Sequence, residues 1–172
     1  MTRHLLGAPV VNNVTRGTLA EAIVALSPGT DWHWQGDWEP FDFRHSDGTE
    51  LEVKQSALVQ PWTSPPGQSP RPTYDIAVRS RHWDRAQSAW RANTTGRRAP
   101  IYIFALHSEA DRSRADHRLI GQWRFRVVPG ADLPQQKTIM ASVLAQRWPL
   151  LRAEDLPEAV AALKARLPAP RV

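Results

Sequence analysis

Residues 40–54 read PFDFRHSDGTELEVK, and the reading of this stretch decides the fold. Two runs of alternating polar and apolar residues flank a Ser-Asp-Gly cluster, the signature of two strands joined by a tight turn. Strand side chains alternate faces, so Glu50, Glu52 and Lys54 point one way and Leu51 and Val53 the other, next-but-one neighbours lying roughly 6.6 Å apart. In the preceding strand Phe41 and Phe43 share a face and Asp42 lies opposite. A two-residue Asp47-Gly48 turn would set Asp42 against Val53 and mix polar with apolar side chains on both faces. A three-residue Ser46-Asp47-Gly48 loop, with Gly48 in the left-handed position of a bulge, pairs 42 with 52, 43 with 51 and 41 with 53, which segregates the two kinds.

That register places two carboxylates across from one another, which is destabilising by itself and is resolved by a bound cation. Hard oxygen donors beside a lysine suit Mg²⁺ or Mn²⁺, because magnesium keeps several waters and needs only one or two protein carboxylates. Asp42 and Glu52 are therefore the candidate metal ligands. Lys54 is the candidate group for orienting a water nucleophile or holding a phosphate oxygen. An ordinary amphipathic strand with a solvated face carries the same E-x-K pattern, and it is the spaced Asp42 and the turn register that point to phosphodiester hydrolysis.

Outward from the hairpin, Thr15–Leu26 is predicted as a helix from Leu19, Ile23 and Leu26, with a Thr15 or Asn13 cap, and Ser27-Pro28-Gly29 stops it. Residues 61–72 are loop by their prolines. Tyr74–Val78 reads as a strand. Arg81–Asn93 reads as a helix, with Trp83, Ala86 and Trp90 on one stripe and Gly96 beyond its end. Ile101–Leu106 is a short apolar run typical of a fully buried strand, QWRFRVV alternates as a half-exposed one, and Ala141–Trp148 and Pro157–Leu167 are terminal helices. The order α-β-β-β-α-β-β-α-α argues for an α/β (α+β) domain, a mixed central sheet flanked by helices.

The chain has 172 residues, 41% hydrophobic, which fits a single domain. Its formal charge of +5 favours a polyanionic partner, nucleic acid above all. With no cysteine there is no disulfide scaffold, thiolate zinc site or cysteine nucleophile, and a cytoplasmic location is expected. No stretch approaches the roughly 20 apolar residues that span a bilayer. The six histidines lack metal-ligand spacing, and Walker, dinucleotide and nucleophile-elbow motifs are absent. Eight tryptophans are many for this length, and each is expected first as core packing and second as a base-stacking surface.

The half-motif PFDF followed by E-L-E-V-K resembles the PD-(D/E)XK nuclease superfamily, the restriction-endonuclease-like fold, in which an aspartate on one strand precedes E-x-K on the next. Pro40 stands one position earlier than the superfamily name implies. VKQSALVQPW, YDIAVRSRHWD, RRAPIYIFALHSEADR and QWRFRVVPGADL also resemble a group of uncharacterised bacterial members, and the likeness covers most of residues 14–133, with 134–172 as a C-terminal helical extension. The resemblance implies an α-β-β-β-α-β core and an Mg²⁺- or Mn²⁺-dependent endonuclease acting on DNA, in restriction, repair or phage defence. RGTLAE looks like the superfamily's first helix, so Glu21 carries over as a further metal-site residue; a surface glutamate on an amphipathic helix fits its spacing equally well. By the same likeness Gln60 lies near the water or the DNA, with a polar strand end as the plain alternative. Pro100 stands where an acidic residue is expected before the buried strand.

Arg79, Arg81, Arg85, Arg91, Arg97 and Arg98 crowd one region and are expected to track a phosphate backbone, unless they are scattered solvated charges. Two rivals share the fold: a catalytically dormant DNA-binding module, and a nuclease for RNA or modified DNA. Cutting both strands of a duplex would imply a homodimer, because two sites must face two backbones.

Overall fold

The computed structural model describes residues 7–27, 31–36, 39–62, 71–84, 87–93 and 96–168. At the tight turn Gly48 takes φ +92°, a conformation that a side chain resists. Its N–H donates to His45 O, and His45 N–H donates to Thr49 O, each at 2.8 Å. Strands β2 (Phe43–His45) and β3 (Glu50–Ala57) then pair antiparallel with Phe43 opposite Leu51 and Arg44 opposite Glu50. This is the register of the three-residue loop. Asp47 locks the loop by accepting both the Thr49 N–H and its hydroxyl, at 2.9 and 2.7 Å.

The ladder ends one residue earlier than the alternation predicts. Asp42 N–H donates to Leu51 O at 3.0 Å, so Asp42 and Phe43 both address Leu51 in the manner of a bulge. The Val53 N–H is taken by the Asp42 carboxylate at 2.6 Å instead of by backbone. Phe41 consequently leaves the face of Phe43 and enters the opposite core.

A central sheet is assembled around β3 in the order β1-β2-β3-β7-β8, with β1 at Trp32–Trp34, β7 at Ile101–His107 and β8 at Trp123–Pro129. Only β3 and β7 run parallel; every other neighbouring pair in this sheet is antiparallel. The parallel register sets Leu51 beside Ile101 and Val53 beside Ile103, and Glu52 beside Tyr102 and Lys54 beside Phe104. The fold is thus α and β with a mixed central sheet and few helices.

One face of the sheet, carrying Phe43, Leu51, Val53, Ile101, Ile103, Trp123 and Phe125, packs beneath helix α1 (Asn13–Ala25) and the last helix, α3 (Leu156–Lys164). Asn12 caps α1 by accepting the Thr15 N–H at 3.0 Å, one or more residues before the expected cap. The buried stripe of α1 is Arg16, Ala20, Ile23 and Val24, so Leu26, expected on it, is exposed. The other face, with Tyr102, Phe104 and Val128, is covered by a ribbon of β4 (Thr73–Asp75) and β9 (Thr138–Met140) and by the short helix α2 (Ala141–Ala145). The C-terminal stretch, expected as an extension, therefore completes both cores.

The helix expected at 81–93, and with it the second helix of the α-β-β-β-α-β core, is replaced by a hairpin of β5 (Arg81–Asp84) and β6 (Ala89–Ala92). Trp83 and Trp90 are seven residues apart, a spacing that fits two helical turns and equally fits cross-strand partners. Their rings meet edge to face at 5.8 Å. Asp84 Oδ1 accepts the Gln87 N–H at 3.1 Å and Ser88 takes φ +46°, a turn conformation that ends any helix. Among the described residues no helix is long and apolar enough to cross a membrane.

Replacing Gly48 by alanine is expected to cost about 1–2 kcal/mol, because a Cβ is unfavourable in the left-handed region. Denaturant unfolding checks this. A change indistinguishable from zero would show that the loop does not fix the hairpin.

Candidate functional site

Asp42, Glu52 and Lys54 face the same crevice: alternation along β3 places Glu52 and Lys54, and Asp42 is held there by the bulge and its bond to the Val53 N–H, not by a 42–52 strand pair. The crevice has two arms, of about 360 and 900 Å³, and both are lined by Asp42, Glu52, Lys54 and Asp75. The acidic cluster therefore sits at their junction. Lys54 Nζ pairs with Glu52 Oε1, and the two side chains retain only 27% and 15% of their exposure. Burial dominates the electrostatics. It pushes the Asp42 carboxyl up to about 8, helped by the negative charges of Glu52 and Glu21 and opposed by the Val53 N–H and Lys54. Burial likewise raises Glu52, against the pull of Lys54. Burial by itself lowers Lys54, but the nearby carboxylates of Glu52 and Asp42 outweigh it and hold the ammonium above its ordinary value. Lys54 thus stands against two desolvated carboxylates, with Arg79 adding a weaker pull on Glu52.

Glu21 lines the larger arm and is felt by both carboxylates, but its Oε2 accepts the Trp34 indole N–H at 2.9 Å. It is near the pair without joining it. Among the described residues no group of three or more histidine, aspartate or glutamate side chains is placed to hold a metal ion. The donors that fit are the Asp42–Glu52 pair, enough for an ion that keeps most of its waters.

Gln60 also lines the larger arm, yet both ends of its amide are engaged: Oε1 accepts from Arg16 Nη1 at 2.8 Å and Nε2 donates to Ala57 O at 3.0 Å. It supports the wall. The same guanidinium reaches Gln55 Oε1 at 2.6 Å and Asn13 Oδ1 at 2.6 Å, joining α1 to β3 from a position 1% exposed. Burial lowers Arg16 to about 10, so it remains a cation whose hydrogen-bond partners are neutral amides beside the crevice.

The arginines divide by use. Arg97 is spent on the carbonyls of Ile76 and Pro134, at 2.9 and 2.7 Å, and braces the fold. Arg98 bridges Glu50 at 3.0 Å and His82 at 3.3 Å. Arg91 lies 3.7 Å from Asp84, and Arg79 pairs with Asp75 at the rim of the smaller arm. Arg81 lines that arm with an exposed side chain. Arg85 lies outside the described residues.

Sequence reasoning passed over Asp75, Arg16 and Arg71. Asp75 follows the buried Tyr74, and strand alternation alone turns it toward the crevice. Arg16 falls on the stripe of Ala20 and Ile23, four and seven residues on, a pattern that marks it as buried. Arg71 gives no such signal, because the β4 edge that it precedes is created by a partner strand far along the chain.

Compared with known proteins, the chain matches no family model, no curated protein and no solved structure.

An aspartic acid whose folded-state pKa stands near 8, against about 3.9 when unfolded, keeps a proton in the folded chain that the unfolded chain releases. Its contribution to stability is therefore lost as pH rises across that window. With a chelator present, Asp42→Asn is expected to remove this slope and to raise the melting temperature at about pH 8 by roughly 2–8 °C, while changing little near pH 4. Thermal melts across the range check it; parallel pH profiles would show that Asp42 is not held in a desolvated site.

Proposed function

We propose that this chain is an Mg²⁺-dependent endonuclease of the PD-(D/E)XK type, hydrolysing phosphodiester bonds of DNA. One observation carries the reading: Asp42, Glu52 and Lys54 meet on one face, at the junction of a crevice rimmed by arginines. The order α1, then the antiparallel β1–β3 with E-x-K on β3, then a parallel β7 supports the restriction-endonuclease-like assignment.

Asp42 and Glu52 are the residues that would hold the ion. Their mutual repulsion in a desolvated setting is the conflict that a dication relieves. When bound, the ion supplies charge neutralisation at the phosphate and a more acidic water. The bulge at Asp42 fixes one carboxylate by its hydrogen bond to Val53 N–H, so that its position costs no reorganisation during turnover. Lys54, held protonated against Glu52, is a donor positioned for the attacking water or a non-bridging phosphate oxygen. Arg81 at the rim supplies positive charge along the path of the backbone.

A second reading, a nucleic-acid-binding module without cleavage, is favoured by the engagement of Glu21 with Trp34, which withholds a third carboxylate from the pair.

Against a panel of plasmid duplex and single-stranded substrates, purified protein is expected to cleave DNA with Mg²⁺ or Mn²⁺ and to stop on chelation. Lys54→Ala and Asp42→Asn should each lower the rate by about two orders of magnitude or more. Cleavage that survives both substitutions would overturn the site. Salt-sensitive binding without cleavage of DNA or RNA would select the second reading.

A further inference from the structure

Trp123, Trp32 and Trp148 pack in or against the cores as expected, but three other tryptophans do not. Of those described, Trp123 is fully buried, whereas Trp34, Trp62 and Trp90 are 54%, 60% and 56% exposed. Trp34 has a structural use, since its N–H holds Glu21. Trp62 and Trp90 are explained by their location: Trp62 lines the larger arm of the crevice, and Trp90, braced edge-on by Trp83, lines the smaller. An open indole thus stands along each arm, and the acidic cluster lies where the arms meet. Exposed cations accompany them, Arg71 in the larger arm and Arg81 in the smaller.

Resting on the nuclease reading, we infer that the crevice takes a single-stranded polynucleotide, with unpaired bases stacked on Trp62 and Trp90 and the intervening phosphate drawn down to Asp42, Glu52 and Lys54. Aromatic platforms alternating with cations along a groove are the chemistry of single-strand binding, because every base has a π-face and only an unpaired one can offer it to an indole. In a duplex those faces are covered by neighbouring base pairs. The depth of the cluster points the same way. Glu52 and Lys54 keep 15% and 27% of their exposure, so the backbone must bend into the crevice. Duplex DNA, with a persistence length of roughly 150 base pairs, bends sharply only at an energetic cost, whereas a single strand folds at each nucleotide. Fixed carboxylates at the floor, stacking surfaces along the arms and arginines at the rim together suit a flexible polyanion with accessible bases.

The test is binding of fluorescein-labelled oligonucleotides of about 20 residues, long enough to cross both arms, to the full chain in chelator. The arms are single-stranded DNA, single-stranded RNA and duplex DNA of the same sequence. At least one single strand should bind about tenfold or more tighter than duplex and quench the indole fluorescence. Which sugar is preferred identifies the natural strand. Trp62→Ala and Trp90→Ala should each weaken single-strand binding by about five- to one-hundred-fold, and Trp62→Phe and Trp90→Phe should restore most of it, with the melting temperature unchanged in the Trp62 variants, whose indole is exposed, and in Trp90→Phe, which keeps a ring against Trp83. Duplex bound as tightly as either single strand, or single-strand affinity indifferent to both alanine variants, would overturn the inference. Parallel cleavage assays with Mg²⁺ separate the two claims. Aromatic-dependent single-strand binding without cleavage would sink the nuclease reading alone, and duplex cleavage indifferent to Trp62 and Trp90 would sink this one alone.

Discussion

Everything in this molecule depends on the register of one hairpin. Because side chains alternate with a period of two, a slip of a single residue between β2 and β3 would send Leu51 and Val53 to the crevice and Glu52 and Lys54 into the core beneath α1 and α3. The Ser46-Asp47-Gly48 loop prevents the slip. Gly48 supplies the left-handed residue, Asp47 accepts two bonds from Thr49, and Lys164 of α3 pairs with Asp47 from the far end of the chain. The turn is thereby tied to the helix that closes the core below it.

The same hairpin concentrates the unfavourable electrostatics. Burying Asp42 and Glu52 side by side near a single lysine works against stability, and the chain keeps the arrangement by hydrogen-bonding Asp42 to a backbone N–H that the bulge has released. A backbone irregularity that ends the ladder thus creates the donor that orients the carboxylate. Core and site share residues of one strand, since Leu51 and Val53 anchor the segment whose alternate positions carry Glu52 and Lys54.

Arg16 extends this coupling to α1. Its guanidinium holds Gln55 on β3 and Gln60 beyond it, so the wall of the larger arm is set by a buried cation hydrogen-bonded to neutral amides. On the opposite sheet face the β4–β9 ribbon carries Asp75 to the same crevice. Elements distant in the chain therefore converge on a junction that the hairpin by itself only begins.

The sequence by itself determined what is local. A left-handed glycine at a fixed offset, alternation along residues 50–54 and an unbroken apolar run at Ile101–Leu106 each carry their own geometry, so the hairpin register next to the turn, the buried strand and the Glu52 and Lys54 face were legible. What depends on a partner was not. The spacing of Trp83 and Trp90 satisfied two secondary structures, and the turn at Ser88 with cross-strand ring contact decided for the hairpin. Phe41 changed cores because the bulge at Asp42 broke an alternation that looked continuous. Glu21 and Gln60 stand near the crevice already bonded to Trp34 and Arg16, pairings between residues apart in the chain that folding brings together. Alternation assigns a side chain to a face, but only tertiary structure decides which neighbours compete for its hydrogen bonds and how much water remains around it.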